Sequence, residues 1–208
     1  GELSERKKYS AFSRALTGGG LAVLYLAIFA AFSFFDLIGQ GAGFTLMLLI
    51  TAAGVTLSVR YDSQVIIIVA MIGGFLTPPL MSTGRDHQIA LMSYMILLDL
   101  GLVALAYWRR WRAVSLLCFA ATAIIFAGWT GKYYKESKFL VTFLFLTIFY
   151  LIFAGHYILH CLARKRAARW EDLALITANA AIYFLAGWAF IQDADAEAFQ
   201  GLFALVLG

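Results

Sequence analysis

Charge is scarce in this 208-residue chain. Asp, Glu, Lys and Arg make up 13% of it, about half the roughly 25% usual in a soluble domain. Proline and cysteine number two each, and histidine three. So little proline excludes a disordered or linker-rich chain. Cys118 and Cys161 lie in apolar runs at a spacing that fits neither a zinc site nor a disulfide framework, and both read as small buried hydrophobes. Gly18-Gly19-Gly20 lacks the Gly-Lys-Ser/Thr ending of a phosphate-binding loop. The sequence presents no nucleophile–base pair and no redox motif, so it calls for no cofactor, no metal and no catalytic residue. The net charge of +4 falls on loop lysines and arginines of the kind that fix membrane topology, and no basic domain is present that would engage nucleic acid.

What the chain has is apolar surface. It is 62% hydrophobic, with a mean hydropathy of +0.84. A water-soluble fold of this size cannot hide that much. The class it implies is all-α, a polytopic transmembrane helical bundle with the lipid bilayer as its surroundings. A spanning helix needs roughly 20 apolar residues. Runs free of Asp, Glu, Lys and Arg, with one exception, cover 15–35, 37–59, 63–84, 87–108, 113–131, 139–163 and 173–192. The expectation is seven spans plus a partial eighth. Residues 1–14 form an interfacial lead-in, 15–192 the bundle, and 193–208 an acidic extracytoplasmic loop with the start of a further apolar segment. Opening on Gly and ending inside Ala198–Leu207, which is too short to span, the chain reads as a portion of a longer protein.

Loop charges give an orientation. Of the 16 Lys and Arg, 12 fall on the side of the N-terminus and four on the other, which puts the N-terminus in the cytoplasm. Lys132, Lys135 and Lys138 break the pattern. Trp108 and Trp111, then Trp129, Tyr133 and Tyr134, then Trp170 and Trp188 flank run ends, where amphipathic rings favour the headgroup level. Gly54 with Ser58, and Ala70 with Gly74, are four apart and would let helices approach closely.

The hairpin 64–108 holds the two oddest features. Its first arm ends in Gly73-Gly74-Phe75-Leu76-Thr77-Pro78-Pro79, and two prolines must break or end a helix. Thr77, Pro78 and Pro79 are read either as a broken helix lining a cavity or as a plain helix end. The second arm carries Asp99 in mid-run, where a charge costs roughly 2.5–3.5 kcal/mol. Asp99 therefore belongs either to a proton, ion or substrate pathway, or to an interhelical hydrogen bond. His156 and His160 are four apart on one helical face; with Asp99 they would make a relay if their helices touch, and otherwise they serve packing. Thr177 and Asn179 read as polar glue first and as binding residues second.

Three phrases carry a family resemblance: Ala15-Leu-Thr-Gly-Gly-Gly-Leu-Ala-Val-Leu-Tyr25, Gly54-Val-Thr-Leu-Ser-Val-Arg60-Tyr61-Asp62 and Gly73-Gly-Phe-Leu-Thr-Pro78. In order and spacing they resemble a bacterial family of predicted multi-spanning membrane proteins, domain of unknown function 2339, over roughly residues 10–130. The resemblance implies a multi-pass protein of the bacterial inner membrane and a longer parent chain. It names no activity. The sequence points to a transport or lipid- and solute-handling module with polar intramembrane residues. The alternative is a structural or sensory scaffold that binds other membrane proteins or further parts of its own chain. A membrane-embedded transferase using Asp99 and a histidine ranks last.

Overall fold

In the computed structural model, which describes residues 2–81, 86–109, 111–164 and 170–193, the regular elements are all helical. They are α1 (Glu2–Ser33), α2 (Gln40–Tyr61), α3 (Gln64–Leu80), α4 (Gln88–Arg109), α5 (Arg112–Tyr133), a 3₁₀ turn (Glu136–Lys138), α6 (Phe139–Arg164) and α7 (Trp170–Asp193). Six helical stretches are long and apolar enough to cross a membrane: all of these α-helices contribute one except α3. Helix α3 is apolar but has 17 residues, which at about 1.5 Å per residue falls short of a hydrocarbon core of roughly 30 Å. The run 63–84 is thus longer than the helix it yields. The partial eighth segment and the acidic stretch after Asp193 lie outside the described residues.

The reason α3 stops is local. Pro78 and Pro79 occupy its last turn and offer no N–H to the carbonyls one turn earlier. The helix runs through both and ends at Leu80, where the Met81 N–H reaches the Thr77 carbonyl at 2.9 Å. Helix α2 ends differently. Asp62 adopts the left-handed conformation (φ 45°, ψ 51°) as its C-cap, with its N–H on the Ser58 carbonyl, a conformation the short Asp side chain tolerates. Ser63 stands at the N-cap of α3 without a side-chain hydrogen bond.

The chain forms two compact units, Gly1–His87 and Gln88–Gly208. In the first, α1, α2 and α3 pack pairwise. Gly54 and Ala70 approach closely: a Cβ on Gly54 would stand 2.6 Å from that of Ala70. The small-residue spacing of the sequence is used here as a helix–helix contact. Tyr25 lies against Gly73, where any Cβ would run into its ring. The Tyr25 hydroxyl sits 2.6 Å from Thr51 Oγ1 and donates to the Ala70 carbonyl at 3.2 Å. Tyr25, Met47 and Met81 form a buried cluster, with Ile28, Phe29, Phe32 and Ile50 around it. Gln40 closes the unit by donating to the Met81 carbonyl at 2.8 Å.

In the second unit α4 packs on α5 and α6, and α6 packs on α7. Met92, Met95, Leu98, Leu102 and Ala106 repeat at helical spacing on the buried face of α4. Aromatic rings fill the space beyond. Phe119 meets Phe153 edge-on at 5.2 Å, Phe126 meets Phe149 at 5.9 Å, and Tyr150 stacks on Tyr183 at 4.5 Å. Such pairs add roughly 0.5–1.5 kcal/mol each beyond the area they bury.

Candidate functional site

Asp99 falls on the buried face of α4, next to Leu98, and is 0% exposed. A carboxyl there needs partners, and α5 supplies them. Thr122 Oγ1 lies 2.8 Å from Oδ1 and 2.9 Å from Oδ2 of Asp99, and the Cys118 thiol donates to Oδ1 at 3.0 Å. Cys118 and Thr122 are four apart, so one face of α5 delivers both donors. Reading Cys118 as a plain small hydrophobe therefore needs correction: it is buried, and it is a hydrogen-bond donor. Donors such as Asn179 or Thr77 are used elsewhere.

One helical turn before Cys118, Ser115 Oγ lies 3.0 Å from His156 Nε2 on α6. Ser115, Cys118 and Thr122 follow the i, i+3, i+7 pattern of a single helix stripe. Among the described residues, Asp99 bonds to Cys118 and Thr122 and not to His156. Each of the two sequence-flagged residues is tied instead to its own position on α5. That polar stripe was visible in the sequence, but only a known helix neighbour gives it meaning.

Asn179 is buried on α7 and donates through Nδ2 to the Tyr150 carbonyl at 3.1 Å, crossing to α6. Thr177 is exposed. Thr77 is 0% exposed and donates to the Gly73 carbonyl within its own helix at 2.8 Å. The side chain of His160 lies outside the described residues. Among those described, no three His, Cys, Asp or Glu gather into a metal-binding group.

A crevice of about 140 Å³ runs between α5, α6 and α7. Helix α5 contributes Phe119, Thr122, Ala123, Phe126, Ala127 and Thr130, which recur on one helical face. Helix α6 gives Leu146, Phe149, Tyr150 and Phe153, and α7 gives Asn179, Ile182, Tyr183, Ala186 and Phe190. Its polar side chains are largely committed to protein partners. Thr122 is on Asp99, Asn179 on the Tyr150 carbonyl, Tyr183 at 3.1 Å from Thr147 Oγ1, and Thr130 on the Ala127 carbonyl. What the crevice offers to a guest is an aromatic and aliphatic wall. Sequence reasoning missed it because α5, α6 and α7 are apolar on all sides, so no periodicity marks the lining face.

The model of the family described as predicted membrane protein, domain of unknown function 2339, matches residues 1–208. The chain belongs to this family. The match extends over the whole sequence, past the stretch on which the resemblance was first visible. No curated protein and no solved structure matches. Family membership agrees with the apolar helices in making the chain a multi-pass membrane protein, and it assigns no activity.

Proposed function

We propose that this family member handles a lipid or an apolar solute within the bilayer, and that its intramembrane polar residues hold helices together rather than carry ions. One observation supports this above the others. Thr122 forms part of the crevice wall while its hydroxyl is spent on Asp99, so the carboxyl stands behind the wall and the guest meets carbon. An ion or proton pathway needs water or exchangeable polar groups along its course; this crevice is walled mainly by Phe, Ala, Leu and Ile side chains. With the run 63–84 counted as a span, the 12-to-4 split of basic residues favours an N-terminus on the cytoplasmic face of a bacterial inner membrane. The runner-up is a scaffold without a guest, resting on the same ties among Asp99, Cys118 and Thr122, with other membrane proteins or further parts of its own chain as partners.

The test is photolabelling of the detergent-purified protein with a phospholipid carrying a diazirine in its acyl chain. Saturable labelling of α5, α6 and α7, competed by unlabelled phospholipid and removed by Ala123→Phe or Ala186→Phe, is the expected result. Labelling that never saturates, or that ignores both substitutions in protein of normal gel-filtration profile, would leave the scaffold reading in its place.

A further inference from the structure

The crevice between α5, α6 and α7 holds about 140 Å³. A dry cavity of about 150 Å³ walled by Leu, Ile and Phe accepts benzene, so this space has the size of one six-membered ring. It admits an acyl chain by its tip alone. Its walls suit a ring as well. Phe126 meets Phe149 edge-on at 5.9 Å and Phe190 at 6.4 Å, and Tyr150 stacks on Tyr183 at 4.5 Å. Such walls give edge and face contacts that a guest ring uses and a saturated chain does not.

One polar atom in the wall is unspent. Asn179 is 5% exposed, and its Nδ2 donates to the Tyr150 carbonyl at 3.1 Å. A carbonyl only accepts, so this bond fixes which end of the amide is nitrogen. The other end, Oδ1, takes no hydrogen bond among the described residues. Oδ1 keeps some accessible surface, and the side chain that carries it forms part of the crevice wall. The hydroxyls of Thr122, Thr130 and Tyr183 are engaged elsewhere. An acceptor held in an apolar site without a donor is costly, and a guest that brings the donor removes that cost.

We infer that the crevice binds one small aromatic molecule carrying a single neutral hydrogen-bond donor, of the phenol class, with its ring among Phe126, Phe149 and Tyr183 and its hydroxyl donating to Asn179 Oδ1. The inference rests on the reading that the second unit takes a guest from the bilayer. Of the guests that reading allows, it selects the solute and gives it a donor. The volume sets one ring, the walls make it aromatic, and the unspent acceptor asks for the hydroxyl. A phenol, with a pKa of about 10, is uncharged at neutral pH, so apolar walls do not reject it as they would an ion. A ring without a donor fits the same space and leaves Oδ1 unpaired.

The experiment follows para-fluorophenol and fluorobenzene by fluorine NMR on the full chain in lipid nanodiscs, with empty nanodiscs to subtract partition into lipid. Both should saturate on the wild type. Asn179→Leu should raise the Kd of para-fluorophenol about tenfold relative to that of fluorobenzene, the effect of stranding one buried donor. Ala123→Phe should remove both. Fluorobenzene that saturates while para-fluorophenol does not, or equal weakening of both by Asn179→Leu, overturns the donor assignment and leaves an apolar guest standing. Failure of both rings beside saturable acyl-chain photolabelling overturns the inference and leaves lipid handling standing. Failure of both rings and of that labelling removes the two readings together. Fluorobenzene binding to Asn179→Leu shows that this variant is folded; Asn179→Ala, which adds no bulk, carries the same expectation and the same reversal.

Discussion

The Thr122 hydroxyl bridges both carboxyl oxygens of Asp99, at 2.8 and 2.9 Å. Because Thr122 also lines the aromatic crevice, a single side chain stands between the buried Asp99 carboxyl and that apolar space. Substitutions at Asp99 should therefore read out as helix association. Asp99→Asn keeps an acceptor for Thr122 and should cost under about 1 kcal/mol, whereas Asp99→Ala strands two buried donors and leaves a void, costing about 2–3 kcal/mol. Reversible unfolding in mixed micelles measures both. Equal losses for Asn and Ala would count against the α4–α5 tie.

His156 offers a sharper discrimination. A double-mutant cycle between Ser115→Ala and His156→Ala should show a coupling of roughly 0.6 kcal/mol, the average for hydrogen bonds between membrane helices. The cycle between Asp99→Asn and His156→Ala should show less. A larger coupling in the second cycle would restore the relay.

In the first unit, Gly73→Ala drives a methyl into the Tyr25 ring, and overpacking of this kind costs about 1–3 kcal/mol. Tyr25→Leu should relieve much of the damage. Unfolding of the two single variants and the double variant checks this: additive losses would mean that the ring and the glycine do not meet. Tyr25→Phe alone should cost about 1 kcal/mol through the bonds to Thr51 and Ala70.

Tyr134, between α5 and the 3₁₀ turn, gives a pH signature. Burial pushes its phenol above the usual value near 10, and the charges of Asp193 and Glu136 push the same way. Its hydroxyl is buried without a hydrogen-bond partner among the described residues. A raised pKa in the folded state means that the neutral phenol is the form the fold accommodates. The associated stability is complete below pH 10 and drains away as pH rises through the elevated value. Tyr134→Phe should thus be neutral or stabilising by about 1 kcal/mol at pH 7, and should flatten the alkaline loss of stability above pH 10. A wild-type slope retained by the variant would place the titrating group elsewhere.

How much of this was written in the sequence depends on the kind of residue. Apolar runs mark helices because nothing in hydrocarbon can satisfy a backbone except itself, and each α-helix overlaps a run identified from charge alone, although α1 starts at Glu2, well before its run 15–35. The spacings Gly54 with Ser58 and Ala70 with Gly74 offered room for close approach, and the structure brings Gly54 against Ala70. Asp99 drew notice because an acid in an oily run must be satisfied. Its partners were not legible. Cys118 and Thr122 become donors only through the packing of α4 on α5, and packing order leaves no trace in helices that are apolar all round. Thr77, Pro78 and Pro79 showed where a helix would be troubled, without showing that α3 would run through both prolines and stop one residue later.

The division at His87 has a consequence for how the protein is made. Helices α1, α2 and α3 satisfy one another through Tyr25, Thr51, Ala70, Gln40 and Met81, all within the first 81 residues. A chain leaves the ribosome from its N-terminus at about 5–20 residues per second, so this trio can associate while α4 to α7 are still being synthesised. Each of these bonds closes within the first unit, and a chain truncated after His87 should still bring Gly54 against Ala70.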